Sequence, residues 1–273
     1  MMNPLQILQT EIVIGIEKPI KLLHMSDTHL VRDDERPSGR RACFESEEGA
    51  IERYFFSAVN HARENGLPIL HTGDLIDYTS QANLAFVDAH FSGLDYLYAA
   101  GNHDFCHWVG EAREDDAYKA EQLRVCAPHF HCDLFFDSRV IGGVNFVTMD
   151  DSYYRIKEEQ LDLLRAEAAR GYPIILCMHV PLFTPDRVGV RPVLYVVGAP
   201  EEILATYPEQ RRRQQAPDAA TLRAVDYIKS EPLIRAVLAG HTHENRESDL
   251  TPDKKQYVTG GTYLGLVREI TVR

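Results

Sequence analysis

No apolar run in this sequence approaches the roughly 18 residues that a membrane-spanning helix requires. The start, Met1-Met2-Asn3-Pro4, has no basic stretch leading into an apolar core, so no secretory leader is expected. Cysteine is sparse and unpaired in pattern: Cys43, Cys106, Cys126, Cys132 and Cys177 are odd in number, scattered and without CxxC spacing. Such usage argues against a disulfide framework or a thiolate zinc site and suits a reducing compartment, the cytoplasm. Basic charge is short as well, with 29 Lys and Arg against 41 Asp and Glu, a net −12. Without a basic excess, a polymeric nucleic acid held by phosphate neutralisation is not an expected partner. No Gly/Ser-rich or Pro-rich linker, low-complexity tract or internal repeat divides the 273 residues, which read as one domain. The 44% hydrophobic and 26% charged content excludes intrinsic disorder and collagen-like repeats.

What is present is a recurrence of short apolar runs. Residues 5–16, 20–25, 67–70, 94–99, 140–149, 172–180, 234–239 and 264–272 read as strands. Helices separate several of them. Ser46 is placed to cap a helix through Arg63 that stops at Gly66, Ser80 a shorter one to about Phe91, and Asp218 one over 219–229. A helix over 158–170 ends at Gly171. Alternation of this kind predicts an α/β class with parallel pairing, and a hairpin-like start and a final strand add antiparallel pairing. The stretch 182–217 has no clear element, and its Arg211-Arg212-Arg213 reads as a solvated helix face, with a phosphate-binding patch as the alternative.

Polar side chains fall at the ends of these runs. Five times an apolar run gives way at once to His, Asp or Asn: Asp27-Thr28-His29, Gly73-Asp74, Gly101-Asn102-His103-Asp104, His179, and Gly240-His241-Thr242-His243. In α/β sheets, ligands gather beyond the carboxyl ends of the strands, so five such clusters converge on one place. The i, i+2 spacing in Asp27/His29 and His241/His243 sends both members of a pair to one face of an extended chain. Glycines 73, 101 and 240 allow sharp exits from the sheet. Carboxylates, imidazoles and one amide oxygen form an N/O donor set that suits Mn, Fe or Zn better than Ca or Cu(I). Seven candidate ligands exceed the needs of one open site and match two metals sharing a carboxylate, an arrangement typical of phosphoester hydrolysis.

As a set, these blocks resemble the calcineurin-like metallophosphoesterases over most of the chain. The resemblance implies an αββα sandwich of two mixed β-sheets flanked by helices, with a dinuclear centre at the carboxyl edge of the strands. It implies that Asp27, His29 and His243 bind one metal and Asn102, His179 and His241 the other, with Asp74 bridging. His103 would sit beside the scissile phosphate, and Asp104 would orient it. Asp77 occupies the place of the ligating tyrosine of purple acid phosphatases, and Tyr78-Thr79 stands where protein Ser/Thr phosphatases have Arg-Gly. The pattern is nearest to the bacterial phosphodiesterase branch that includes cyclic-nucleotide enzymes, with His179-Val180-Pro181 in place of that branch's frequent His-His-Pro. The interval from His179 to His241 is long for that family, so 182–217 reads as a substrate-facing insertion.

The expected chemistry is hydrolysis of small-molecule phosphoesters, chiefly diesters. A hydroxide bridging two divalent or mixed-valence ions attacks, and His103 acts as acid or charge stabiliser. A phosphomonoesterase acting on nucleotides or phosphoproteins is the first alternative, and a metal-free binding scaffold on the same fold the second. His107 and Trp108, just past the Gly-Asn-His-Asp loop, are candidate substrate contacts. His24, His61, His71, His90, His129 and His131 read as structural or surface residues, and Asp150-Asp151-Ser152 closes another strand near the site.

Overall fold

The computed structural model describes residues 4–32, 39–45, 50–107, 115–187 and 195–273. Among these, β-branched and aromatic runs form strands β1 (Gln6–Ile12), β2 (Ile20–Met25), β3 (Ile69–His71), β4 (Tyr96–Tyr98), β5 (Phe136–Ile141), β6 (Val144–Met149), β7 (Ile174–Cys177), β8 (Ile234–Ala239), β9 (Arg246–Thr251), β10 (Lys254–Val258) and β11 (Leu266–Val272). The helices are α1 (Arg40–Glu45), α2 (Ile51–Glu64), α3 (Gln81–His90), α4 (Asp116–Cys126), α5 (Glu158–Ala169), α6 (Glu201–Leu204), α7 (Glu209–Gln215) and α8 (Ala219–Ser230).

The strands sort into two mixed sheets, ordered β1-β11-β2-β3-β4 and β5-β6-β7-β8-β10-β9. Leu22, Leu70, Leu97 and Ile270 of the first sheet meet Phe146, Ile175, Ala236 and Leu238 of the second between the sheets. The outer face of the first sheet is covered by α2 and α3 through Phe55, Val59 and Val87, and that of the second by α5 and α8 through Leu161, Leu164 and Ile228. This is the four-layer αββα arrangement. Two of its helices start where a capping side chain was expected: Ser80 Oγ accepts from Asn83 N at 3.1 Å and Asp218 Oδ1 from Thr221 N at 2.8 Å. Ser46 lies outside the described residues.

Three features differ from the sequence reading. The start of the chain is not a hairpin, because β11 inserts between β1 and β2, parallel to the first and antiparallel to the second. The run 140–149 is split at Gly142-Gly143, whose φ of 55° and 86° make a tight turn, so β5 and β6 form a hairpin. Polar strands β9 and β10 and helix α4 were not expected at all. In β10, Gln256 is fully buried because its amide exchanges hydrogen bonds with the Leu182 backbone, at 2.8 and 3.1 Å. Lys254 is buried beside the end of α8, where its Nζ donates to the carbonyls of Ile228 (2.5 Å), Lys229 and Glu231 (both 3.0 Å).

A polar chain pins the two sheets together beneath the carboxyl ends. Arg268 on β11 is fully buried. It donates to Thr10 Oγ1 (2.5 Å), Val258 O (2.9 Å), Glu247 Oε1 (3.1 Å) and Thr259 Oγ1 (3.2 Å). Thr259 Oγ1 lies 2.7 Å from His24 Nδ1, and His24 Nε2 lies 2.8 Å from Thr72 Oγ1, just before Gly73-Asp74. Replacing Arg268 by Ala leaves several buried acceptors without a donor. We expect a loss of about 3 kcal/mol in stability, read as a lower urea midpoint with an unchanged slope.

Candidate metal centre

All five polar blocks lie at the carboxyl ends of β2, β3, β4, β7 and β8, where the parallel strands of both sheets release the chain on one edge. The chain beyond β2 and β8 is not extended. Asp27, His29, Asp74, His241 and His243 all have left-handed φ, between 49° and 68°. Non-glycine residues resist that region and hold it only where the surroundings over-determine it, a pattern that clusters at functional sites. Alternating left-handed residues, rather than a strand pleat, therefore aim these side chains. Asp27 and His29 share one cluster, whereas His241 and His243 divide between two.

The first cluster is Asp27, His29 and His243 and the second is Asp74, His179 and His241, with candidate donor atoms within 4.8 Å of one another. His29 Nε2 is 3.1 Å from His243 Nε2, and His241 Nδ1 is 3.0 Å from His179 Nε2. Asn102 Oδ1 joins the second group, 3.2 Å from His179 Nε2. Asp74 Oδ2 lies between the groups, 3.2 Å from His179 Nε2 and 3.8 Å from His29 Nε2.

Each imidazole is tethered through the nitrogen that faces away. His29 Nδ1 pairs with Asp77 Oδ1 (3.0 Å), His179 Nδ1 donates to Thr72 O (2.6 Å), His241 Nε2 meets Tyr154 Oη (2.9 Å) and His243 Nδ1 meets Tyr263 Oη (3.1 Å). Such partners fix ring orientation and turn the other nitrogen toward the clusters. Asp151 adds a backbone tether, since its Oδ1 accepts from His179 N (2.9 Å) and Val180 N (3.0 Å). Burial pushes this carboxyl up to about 7.

His103 is held differently from the sequence expectation. Its Nδ1 lies 2.9 Å from Asp77 O and 3.1 Å from Asp77 Oδ1, and Asp77 is itself held by Arg40 at 2.8 and 3.0 Å. Asp104 does not orient the ring. The 3₁₀ turn over His103–Phe105 points its carboxylate back into the fold, where it accepts from the N–H groups of Gly101 (2.8 Å), Asp74 (3.0 Å), Leu75 (3.1 Å) and Ile76 (3.3 Å) and from Tyr98 Oη (2.5 Å). Asp104 thus shapes the loop that carries Asp74, and Asp77 takes the orienting position.

Burial alone would raise the carboxyls of Asp27, Asp74 and Asp77. The neighbouring His243, His179 and Arg40 respectively outweigh it, and all three are held below the ordinary range. For His103 and His179 burial favours the neutral ring, but Asp74 overrides it and raises them to about 9 and about 10. Burial, aided by the charge of His179, lowers His241.

The centre opens into a cleft of about 320 Å³. Its far wall contains Tyr154, Tyr195, Arg211 and Gln214, none of which was singled out as a cleft residue from the sequence. His107 is exposed, its N–H donating to Tyr118 Oη (2.8 Å), and does not line the cleft; Trp108 lies outside the described residues. His24 and His71 are buried below the centre on Thr72 and Thr28, His61 pairs with Glu269, and His129 with Asp88.

A family model for calcineurin-like phosphoesterases matches residues 20–245. The chain belongs to the calcineurin-like phosphoesterases. It is 28% identical over 236 residues to a probable cyclic nucleotide phosphodiesterase of Rhodococcus erythropolis, covering 81% of this chain and 64% of that protein. It is 26% identical over 259 residues to a cAMP/cGMP dual specificity phosphodiesterase of Mycobacterium tuberculosis, covering 90% of this chain and 64% of that one. The chain therefore spans under two thirds of the length of these relatives. Its fold is similar to that of a dimetal phosphatase from Danio rerio, with a TM-score of 0.51, 13% identity and coverage of 89% and 88% of the two chains. Among the described residues, no helix is long and apolar enough to cross a membrane.

Membership of the calcineurin-like phosphoesterases implies a dinuclear centre of divalent metals, and the donors fit one. Asp27 Oδ2 accepts from Ser26 Oγ (2.6 Å) and His241 N (2.8 Å), while its buried Oδ1 accepts no hydrogen bond and faces His243 Nε2 at 3.3 Å. A buried carboxylate oxygen left without a donor, opposite inward imidazole nitrogens, is the arrangement a cation completes. The centre also depends on bare backbone. Gly73 turns with φ 87°, but at Gly101 the requirement is space, since a Cβ there would lie 2.2 Å from Asp74 Oδ1. Gly101→Ala is expected to displace Asp74 and lower the bound metal from two equivalents toward one or none, with the helical circular dichroism retained. Elemental analysis of the purified variant checks this.

Proposed function

We propose that this chain hydrolyses small-molecule phosphodiesters at the Asp74-linked pair of clusters. Asp74 Oδ2, set between two groups of inward-facing imidazoles at the foot of an open cleft, carries the reading. The N/O donor set favours Mn, Fe or Zn, with Asp27, His29 and His243 around one ion, Asn102, His179 and His241 around the other, and Asp74 shared. Bound there, two such cations supply Lewis acidity toward phosphoryl oxygens and lower the pKa of the attacking water. The preference for diesters is supported by the cyclic-nucleotide phosphodiesterases among the chain's relatives. The described residues fold around this one centre, and we assign residues 1–273 to one metallophosphoesterase domain.

His103 lines the cleft with its Nδ1 engaged by Asp77, so Nε2 is the nitrogen left to act on a substrate. With Asp77 as the partner of Nδ1, a proton on Nε2 is placed to pass to a departing alkoxide. Asp77 fixes both His103 and His29, and Arg40 in turn holds Asp77 in the orientation that serves both rings. Asp104 acts earlier in the chain of support, by closing the Asp74 loop.

The test uses metal-supplemented protein and bis(4-nitrophenyl) phosphate. His103→Ala should retain both metals and lose roughly 10²–10⁴ in kcat. Asp74→Ala should lose metal and turnover together. Full activity in His103→Ala would refute its assignment as proton donor, and a parent protein that turns over 4-nitrophenyl phosphate far faster than the diester would refute the diester preference. Exhaustive chelation should abolish activity, and readdition of Mn, Fe or Zn should restore it.

A further inference from the structure

Three consecutive arginines occupy α7, and successive helical residues point about 100° apart, so they cannot all face one surface. Arg212 and Arg213 are exposed, and Arg213 pairs with Glu209 one turn back. Arg211 is half-buried and lines the cleft beside the candidate metal centre. Its placement is built into the fold. Gln215, fully buried, accepts from Val196 N at 3.4 Å and anchors α7 against the segment that carries Tyr195. The Arg211 guanidinium lies 5.1 Å over the Tyr195 ring, and its Nη1 donates to Gln214 Oε1 at 2.5 Å. Tyr195 in turn stands edge-on to His241, with ring centres 5.5 Å apart and planes at 80°.

Among the described residues no carboxylate pairs with Arg211, and no other Lys or Arg lines the cleft. A guanidinium held over an aromatic ring still has N–H donors for an oxyanion, and Gln214 occupies only part of that set. Two successive ring contacts separate Arg211 from His241, so the donors are offset from a phosphoryl group held at the clusters.

We infer that Arg211 is the specificity-determining residue of the cleft and that the substrate is a phosphodiester with a second oxyanion, a carboxylate or phosphate, on the arm that runs along Tyr195. This rests on the phosphodiesterase reading above. The phosphoryl group to be cleaved sits at the two clusters, and the second anion reaches the guanidinium edge while Tyr195 keeps that edge in place.

The test compares three 4-nitrophenyl alkyl phosphodiesters whose alkyl arms end in a carboxylate, a phosphate or a methyl amide. The metal-loaded parent should favour an anionic arm over the amide about tenfold or more in kcat/KM, mainly through KM, as a charge-assisted hydrogen bond supplies. The better of the two anionic arms identifies the anion. In Arg211→Met the ratio should fall to about one, in Arg211→Lys part of it should remain, and in the exposed-site control Arg212→Met it should persist. A readout without turnover is the calorimetric affinity for 3-phosphonopropionate relative to propylphosphonate, which should follow the same pattern. A ratio near one in the parent, or an unchanged ratio in Arg211→Met, overturns the inference and leaves the hydrolase reading standing. If the parent cleaves none of the three diesters, the phosphodiesterase reading fails, and the calorimetric ratio alone decides the role of Arg211.

Discussion

Three ionised carboxylates, those of Asp27, Asp74 and Asp77, sit almost wholly out of water at one edge of the sandwich. Concentrating that much negative charge in a poorly solvated place is costly unless each oxygen is matched. Much of the surrounding structure is the matching: Ser26 and the His241 N–H on Asp27, the His103 N–H on Asp74, and Arg40 with two imidazoles on Asp77. The oxygens left over, Asp27 Oδ1 and Asp74 Oδ2, face the inward imidazole nitrogens. The backbone strain at five left-handed positions belongs to the same constraint, because that bend aims their donors at the points that Asn102 and His179 reach from ordinary backbone.

The two walls of the cleft are built on different principles. The metal-side wall is made of residues that follow strands directly and are tethered by backbone carbonyls, tyrosine hydroxyls and buried acids. The opposite wall comes from the turn bearing Tyr154 and from the segment between β7 and β8, held by the fit of Gln215 and by ring contacts. The two walls meet at His241, which Tyr154 holds by a hydrogen bond and Tyr195 by a ring contact, so recognition and metal ligation share one side chain.

The blocks at the strand ends were legible because each is a short polar cluster directly after an apolar run, and because the sheet order brings those ends together. What escaped the sequence depended on directions that adjacency does not encode. Asp104 follows His103 and invited a pairing, yet the 3₁₀ turn sends it to the Asp74 loop and leaves the ring to Asp77, 26 residues earlier. Arg211, Arg212 and Arg213 are chemically identical, so only the anchoring of α7 through Gln215 tells which one enters the cleft. Strands β9 and β10 were hidden because Lys254 and Gln256 are buried through specific backbone partners, and no apolar alternation advertises them. The hairpin expected at the start failed because its first strand has a better neighbour at the far end of the chain.

That neighbour has a consequence for synthesis. β11 is interior to the first sheet, so β1 has no partner there until residue 266 and its successors have been made. Until β11 has been made, the first sheet is unfinished and Arg268 is not yet available to join Thr10 to Thr259. Native pairing between positions some 260 apart, such as Gln6 with Leu266, closes a very long loop, which favours slow, late completion. His243 likewise arrives after every other candidate ligand. The first cluster therefore cannot be complete before residue 243 has been made, and the first sheet closes only when β11 has followed it.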